Sequence, residues 1–165
     1  ARPRRFWSQE IARLERRLKA ETALLLKEIA QHQDLARRLE LLESVEGIGR
    51  RTALALLIGM PELGSLSREQ AAALAGLAPF DRDTGAFKGQ RRIAGGRARV
   101  RRALFNAALP ASFRWNSALV ALYKRLTAKG KAHKQALIAC ARKLLIFANT
   151  VLARGTAWQK TNPQT

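Results

Sequence analysis

Residues 41–60 read LLESVEGIGRRTALALLIGM. Leu41, Leu42 and Val45 close one apolar helical face, Gly47-Ile48-Gly49 allows a tight turn, and Arg50 opens the next helix. The order apolar-x-Gly-apolar-Gly-x-x-Thr-Ala is the signature of a helix-hairpin-helix. That motif suits phosphate: the glycines let backbone come close to an anion, and the unbonded amides of the second helix point at it. Gly47, Gly49, Arg50 and Arg51 are therefore candidate phosphate contacts. The plainer alternative is a glycine turn between two helices, which would still leave a rigid corner.

Toward the N-terminus, Ser8 to about Glu43 reads as one long helix. Ile11, Leu14, Leu18, Leu25, Ile29, Leu35, Leu39 and Leu42 recur at steps of three, four and seven, with one step of six, and no Gly or Pro interrupts them. Thr22 and His32 fall on or near this seam. At ~1.5 Å per residue the helix would run ~50 Å, more than a compact domain of this size covers. A self-association arm is expected, with an amphipathic helix lying on its own domain as the alternative.

Toward the C-terminus, Pro61 and Gly64 break the chain. Ser67-Arg68-Glu69-Gln70 has the form of a capping box ahead of a short helix to about Ala75, ended by Gly76. Residues 77–96, LAPFDRDTGAFKGQRRIAGG, have no helical period, and pieces around Ala86–Ile93 could pair as a hairpin. A glycine-rich loop this long is more often functional than idle. Three helices follow: Arg97 to Phe113, kinked or shortened by Pro110; Asn116 to Ala128; and Lys131 to Arg154, stopped by Gly155. Their inward stripes are Val100, Leu104, Ala107 and Ala108; Leu119, Leu122 and Leu126; and Leu137, Ala141, Leu144 and Leu145. The expected fold is mainly all-α: a long N-terminal coiled-coil helix, a helix-hairpin-helix, a glycine-rich loop or short hairpin, and a three-helix C-terminal bundle. The expected division is a dimerisation helix over 1–40, one domain over 41–157, and a frayed tail over 158–165.

Charge narrows the function. All 12 acidic residues precede Thr84, whereas 17 of the 31 Lys and Arg lie from Thr84 onward, so the back half carries +17 of the net +19. Unpaired charge at that density opposes folding, and its usual counterpart is a polyanion, most often nucleic acid. With 47% hydrophobic residues a packed core is expected rather than disorder. The single Cys140 excludes an internal disulfide and a thiolate metal cluster, and fits a reducing compartment. No uninterrupted apolar run reaches ~18 residues, so no membrane span is expected. The opening ARPRRFWSQE has neither an initiator Met nor a signal-peptide stretch, and the chain is expected to continue a longer protein.

Arg97, Arg99, Arg101 and Arg102 crowd the start of one helix, where positive charge is disfavoured unless an anion approaches. Lys124, Arg125, Lys129, Lys131, His133 and Lys134 surround the Gly130 turn. His133 is evenly balanced between bystander and phosphate partner, and neither it nor His32 has metal-ligand company. Cys140 is expected in the core. Trp7, Trp115 and Trp158 are candidates for stacking on bases, with packing the better expectation for Trp115.

GIGRRTA (47–53), ALAGLAPFDRDTG (73–85), FKGQRRIAGGRARVRRAL (87–104) and GKAHKQALIACARKLL (130–145) together resemble one family. It is the C-terminal transposase domain of the Piv-like insertion-sequence serine transposases, or bridge-RNA-guided recombinases, and the resemblance runs from Leu41 to Leu152. It implies a coiled coil joining this region to a preceding RuvC-like domain, whose carboxylates hold Mg²⁺. No cofactor is implied in this chain. It further implies DNA and a noncoding guide RNA as partners, a homodimer or tetramer assembled through the N-terminal helix, and a bacterial cytoplasmic, nucleoid-associated location. In the family a serine after the GLAP motif attacks a DNA phosphodiester and becomes covalently linked to it.

This sequence departs from the Asp-Ser-Gly pattern and reads Asp83-Thr84-Gly85, with no serine between Ser67 and Ser112. Thr84 offers a hydroxyl that can act as a nucleophile when activated, although its methyl adds bulk and restricts χ1. A working threonine, a decayed copy and a loop alignment shifted by one residue all remain open. Lys88, Arg91 and Arg92 flank that turn and are candidate clamps for the phosphate under attack. Asp81 and Asp83 alone make a poor Mg²⁺ cage, so the chain by itself is expected to bind nucleic acid without cutting it. Two other classes stay in view: a non-catalytic helix-hairpin-helix nucleic-acid-binding module, in which Thr84 is only a turn residue, and a basic scaffold that meets RNA alone.

Overall fold

A computed structural model describes residues 4–80, 92–93 and 95–159. The fold is mainly all-α. In order come α1 (Arg4–Gln31), α2 (Gln33–Ser44), α3 (Arg50–Gly59), α4 (Arg68–Leu74), β1 (Pro79–Phe80), β2 (Arg92–Ile93), α5 (Ala98–Pro110), a π-helical turn (Ala111–Trp115), α6 (Ser117–Ala128) and α7 (His133–Arg154). The chain divides into two units, residues 1–37 and 38–165.

In the first unit α1 is 28 residues, about 42 Å long. Its seam residues Ile11, Leu14 and Leu18 are 55%, 54% and 48% exposed, an apolar stripe left uncovered in the single chain. The unbroken helix expected from Ser8 to Glu43 is corrected here. The helix stops at Gln31 and α2 begins at Gln33. The His32 amide donates to Ile29 O at 3.0 Å, a tightened three-residue turn. His and Asp are weak helix formers, and the interruption falls in Gln-His-Gln-Asp, with Asp34 in the first turn of α2, where an acid favours a helix start.

In the second unit α7 packs against α4, α5 and α6. Its length and composition would allow a membrane crossing, and the bundle explains that composition: Leu137, Cys140, Ala141, Leu144, Leu145 and Ala148 are all buried. The inward stripes hold for Val100, Leu104, Ala107, Ala108 and Leu119, while Leu122 and Leu126 are only half-buried. Helices α3 and α5 run antiparallel. A Cβ on Gly59 would fall 2.6 Å from Val100 Cγ2, and at the other end a Cβ on Gly47 would fall 2.6 Å from Ala111 Cβ.

Polar side chains fasten the loops to this bundle. Buried Asn149 accepts from Gly64 N at 2.8 Å and donates to Leu66 O at 2.8 Å. Arg38 donates to Pro61 O and Leu63 O at 2.7 and 3.0 Å. The Ser67–Gln70 capping box forms in both directions, at 3.1 and 2.8 Å. Pro110 does shorten α5. Lacking an N–H for the turn before it, it is followed by a wider turn in which Asn116 N bonds Ala111 O at 3.1 Å.

Strand β1 pairs antiparallel with β2, Pro79 opposite Ile93 and Phe80 opposite Arg92. Of the stretch expected to pair as a hairpin, Ala86–Ile93, the described part Arg92–Ile93 pairs with residues upstream of Asp83-Thr84-Gly85, and residues 86–91 lie outside the described residues. Residues 81–91 thereby connect two paired strands.

Cys140 is buried, and burial pushes its thiol above the usual range. In the folded chain it should react with a disulfide reagent at least ~100-fold more slowly than after denaturation. Labelling at the rate of a free thiol would contradict that packing.

Candidate nucleic-acid interface

The candidate phosphate contacts divide between the two ends of the antiparallel α3–α5 pair. One end holds the glycine turn. Gly47 has φ +101°, open to glycine at little cost, and a Cβ there would collide with Ala111. Gly49 precedes α3 in an extended conformation, and no side chain caps that helix start. Its first amides are therefore left to an anion or water. Arg50 is held by Glu43, through Nε and through Nη2 at 3.1 Å, which raises its pKa. Arg51 is exposed and has no ion pair among the described residues. Buried Asn116 joins this turn to the π-helical turn. Its Oδ1 accepts from Leu119 N at 3.1 Å, capping α6, while Nδ2 donates to Glu46 O at 2.9 Å.

The other end carries the four arginines, and the structure gives two of them work inside the fold. Arg97 donates from Nη1 to Gly59 O at 2.9 Å and pairs with Glu62 at 2.5 Å. Arg101 donates from Nη1 to Gly95 O at 2.6 Å and to Ala75 O at 3.4 Å, serving one carbonyl ahead of α5 and one at the end of α4. Of the four arginines, only Arg99 and Arg102 stand exposed, both on α5. The arginine cluster is thus partly explained without an approaching phosphate.

The hydrogen bond from Arg97 holds the Glu62 carboxyl below the usual carboxylate range. A depressed carboxylate stabilises the fold above its unfolded value and loses that contribution as pH falls through its folded one. Wild type should therefore lose its advantage over Glu62→Gln as pH drops below about 4, followed by thermal melts from acid to neutral pH. A difference independent of pH would contradict the pair.

Between these arginines the chain crosses itself. Gly76 and Gly96 touch backbone to backbone, a Cβ on Gly96 falling 2.3 Å from Gly76 N, and Arg97 N donates to Leu74 O at 2.8 Å. With the β1–β2 pair, this crossing closes the base of the segment 81–91. Asp83, Thr84, Gly85, Lys88 and Arg91 lie outside the described residues, and Arg92 is described only as backbone in β2. Among the described residues no group of three His, Cys, Asp or Glu could hold a metal ion.

Residues 39–124 match the family described as Transposase IS116/IS110/IS902. The chain belongs to this transposase family. It is similar to the pilin gene-inverting proteins of Moraxella bovis and Moraxella lacunata, each 31% identical over 159 residues, or 94% of this chain and 47% of theirs. It is also similar to the insertion element IS110 uncharacterized 43.6 kDa protein of Streptomyces coelicolor, 33% identical over 124 residues, 74% of this chain and 30% of that one. The chain spans about half the length of the Moraxella relatives and less of the third.

The family match ends at residue 124, inside α6, while a third basic set lies beyond it. Lys131 and Lys134 are exposed around the start of α7, which also has no side-chain cap. His133 between them bonds Tyr123 through Nδ1 at 2.7 Å, so its ring has a local partner. Sequence reasoning in this transposase-family chain misjudged the tryptophans. Trp115, expected to pack, is 57% exposed. Trp158, counted as a stacking candidate, packs on Phe147 at 4.3 Å, and its amide donates to Ser44 Oγ at 2.9 Å. Phe113, 53% exposed, was not singled out at all. Phe113 and Trp115 share the π-helical turn that follows Pro110, and Pro110 is the signal in the sequence that marks it.

Proposed function

We propose that this chain is the DNA-gripping half of a transposase-recombinase and that it presents the Thr84 hydroxyl for strand cleavage and rejoining. One observation carries the reading. In a member of this family, the segment 81–91 is tied at its base by the β1–β2 pair and the Gly76–Gly96 crossing, with exposed Arg99 and Arg102 beginning the next helix. Thr84 Oγ1 attacks the phosphorus of a DNA phosphodiester. The bond to one deoxyribose oxygen breaks, and that oxygen leaves carrying a proton. The phosphothreonine link keeps the ester, so an incoming deoxyribose hydroxyl can reverse the step and rejoin a strand. Lys88, Arg91 and Arg92 neutralise the charge that develops on the phosphate oxygens. Mg²⁺, when held by carboxylates of a preceding RuvC-like domain, supplies further charge stabilisation. Guide RNA pairing selects the sites.

The two basic ends of the α3–α5 pair stand about 15 Å apart, comparable with a major groove about 12 Å wide, which suits contact with both of its phosphate rims. Arg99→Ala with Arg102→Ala should weaken duplex binding and flatten the slope of log affinity against log salt by up to about 2. Arg97→Ala and Arg101→Ala should lower the melting temperature first. An unchanged slope in the Arg99/Arg102 double variant would remove that end from the interface. The chain alone should bind supercoiled plasmid with Mg²⁺ present yet leave it intact, and nicking proportional to purified protein would refute the division of labour.

The uncovered stripe of Ile11, Leu14 and Leu18 supports assembly through α1. Sedimentation at micromolar concentration should show a dimer or larger, and Leu14→Asp with Leu18→Asp a monomer. A monomeric wild type would contradict it.

A further inference from the structure

We infer that the π-helical turn carries a stacking site for unpaired nucleobases. Three elements bring aromatic rings together there. Phe113, on the turn, meets Tyr123 of α6 edge-on with centroids 4.9 Å apart, and it stacks with His133 of α7 at 6.3 Å and 20°. The Tyr123–His133 hydrogen bond of 2.7 Å locks those two rings in place. The cluster is therefore built from the fold and is not a chance protrusion. Phe113 nevertheless remains 53% exposed. Trp115, two residues on, is 57% exposed with no ring partner among the described residues. Large rings left open to water on a rigid turn disfavour the free protein and favour a ligand with a flat apolar face.

Charge selects the ligand. Arg114 falls between Phe113 and Trp115 in sequence and Lys134 follows His133, both exposed, and the sequence contains no acidic residue beyond Asp83. Two copies of the patch would repel each other, and an apolar protein helix would leave the cations unused. An unpaired strand satisfies both, its bases on the rings and its phosphates on the cations. A duplex offers phosphates alone, because its bases are already stacked. The rings lie on the turn joined to Gly47-Ile48-Gly49 through Ala111 and Asn116, so a strand opened beside a duplex would reach them. This inference rests on the nucleic-acid reading above and adds the class of strand recognised.

The test is fluorescence anisotropy with the chain and four probes: a ten-nucleotide oligo(dT), the matching oligo(rU), an abasic strand of equal length, and a blunt DNA duplex. Trp115→Ala should lose about tenfold or more in affinity for oligo(dT), oligo(rU) or both. Trp115→Phe should restore most of it, and duplex affinity and the salt slope should stay at wild-type values. Wild type should bind the abasic strand as weakly as Trp115→Ala does. Whichever oligonucleotide responds more identifies the strand as DNA or RNA. Unchanged single-strand binding in Trp115→Ala with duplex binding intact would overturn this inference and leave the proposed function standing. Wild type that binds no probe would overturn both. A change in sedimenting mass on Trp115→Ala would assign the patch to self-association instead.

Discussion

Replacing Gly96 by alanine should destabilise the chain by at least about 3 kcal/mol, a large share of the 5–15 kcal/mol that holds a typical domain. Two effects add. Gly96 has φ +65°, where a Cβ is strained by roughly 1 kcal/mol. The larger effect is collision, since the new Cβ would lie 2.3 Å from Gly76 N, 2.6 Å from Gly76 Cα and 2.8 Å from Ala75 C. These are backbone atoms and cannot swing aside. Relief requires pulling α4 and α5 apart, which breaks the bond from Arg97 N to Leu74 O. Gly95 is the control: it has the same φ of +65° and open space around its Cβ position. Gly95→Ala should therefore cost only about 1 kcal/mol. Equal shifts in urea midpoint for the two variants would contradict the crossing.

Asn116→Ala should be nearly as damaging, at about 2–4 kcal/mol. One side chain caps α6 and satisfies Glu46 O in the glycine turn, and it is 1% exposed. Alanine removes the cap and leaves that carbonyl without its partner. Asn116→Asp separates the two roles. It keeps an oxygen for Leu119 N but turns a second one toward Glu46 O. It should be the worse variant at neutral pH and recover part of its stability as pH falls and the carboxyl gains a proton. An aspartate variant as stable as wild type at neutral pH would show that the Glu46 contact contributes nothing.

Local chemistry made much of this fold legible. Leucine and alanine spacing predicted the cores of α5 and α7, the Ser67–Gln70 box predicted the start of α4, and Gly47 marked the corner before α3. What escaped was set by contacts distant in sequence. Arg97 and Arg101 look like an anion trap until Gly59 O, Glu62 and Gly95 O appear beside them. The partners of Arg92 and Ile93 lie twelve and fourteen residues upstream, beyond what alternation in one stretch can show. The break at His32 has no Gly or Pro to announce it. At Pro110 the period itself changes to a wider turn, and that turn leaves Phe113 and Trp115 exposed. Within the candidate site, Gly49, Arg51, Arg99, Arg102, Lys131 and Lys134 are exposed, while Thr84 lies outside the described residues.

The central claim, that the Thr84 hydroxyl attacks DNA, is tested most directly by trapping covalent protein–DNA adducts. The assay uses the chain joined to the RuvC-like domain of the proposed function, with Mg²⁺ and labelled DNA, stopped in detergent. Wild type and Thr84→Ser should both give an adduct that survives denaturation, and Thr84→Ala should give none. An adduct formed in full by Thr84→Ala would contradict the account.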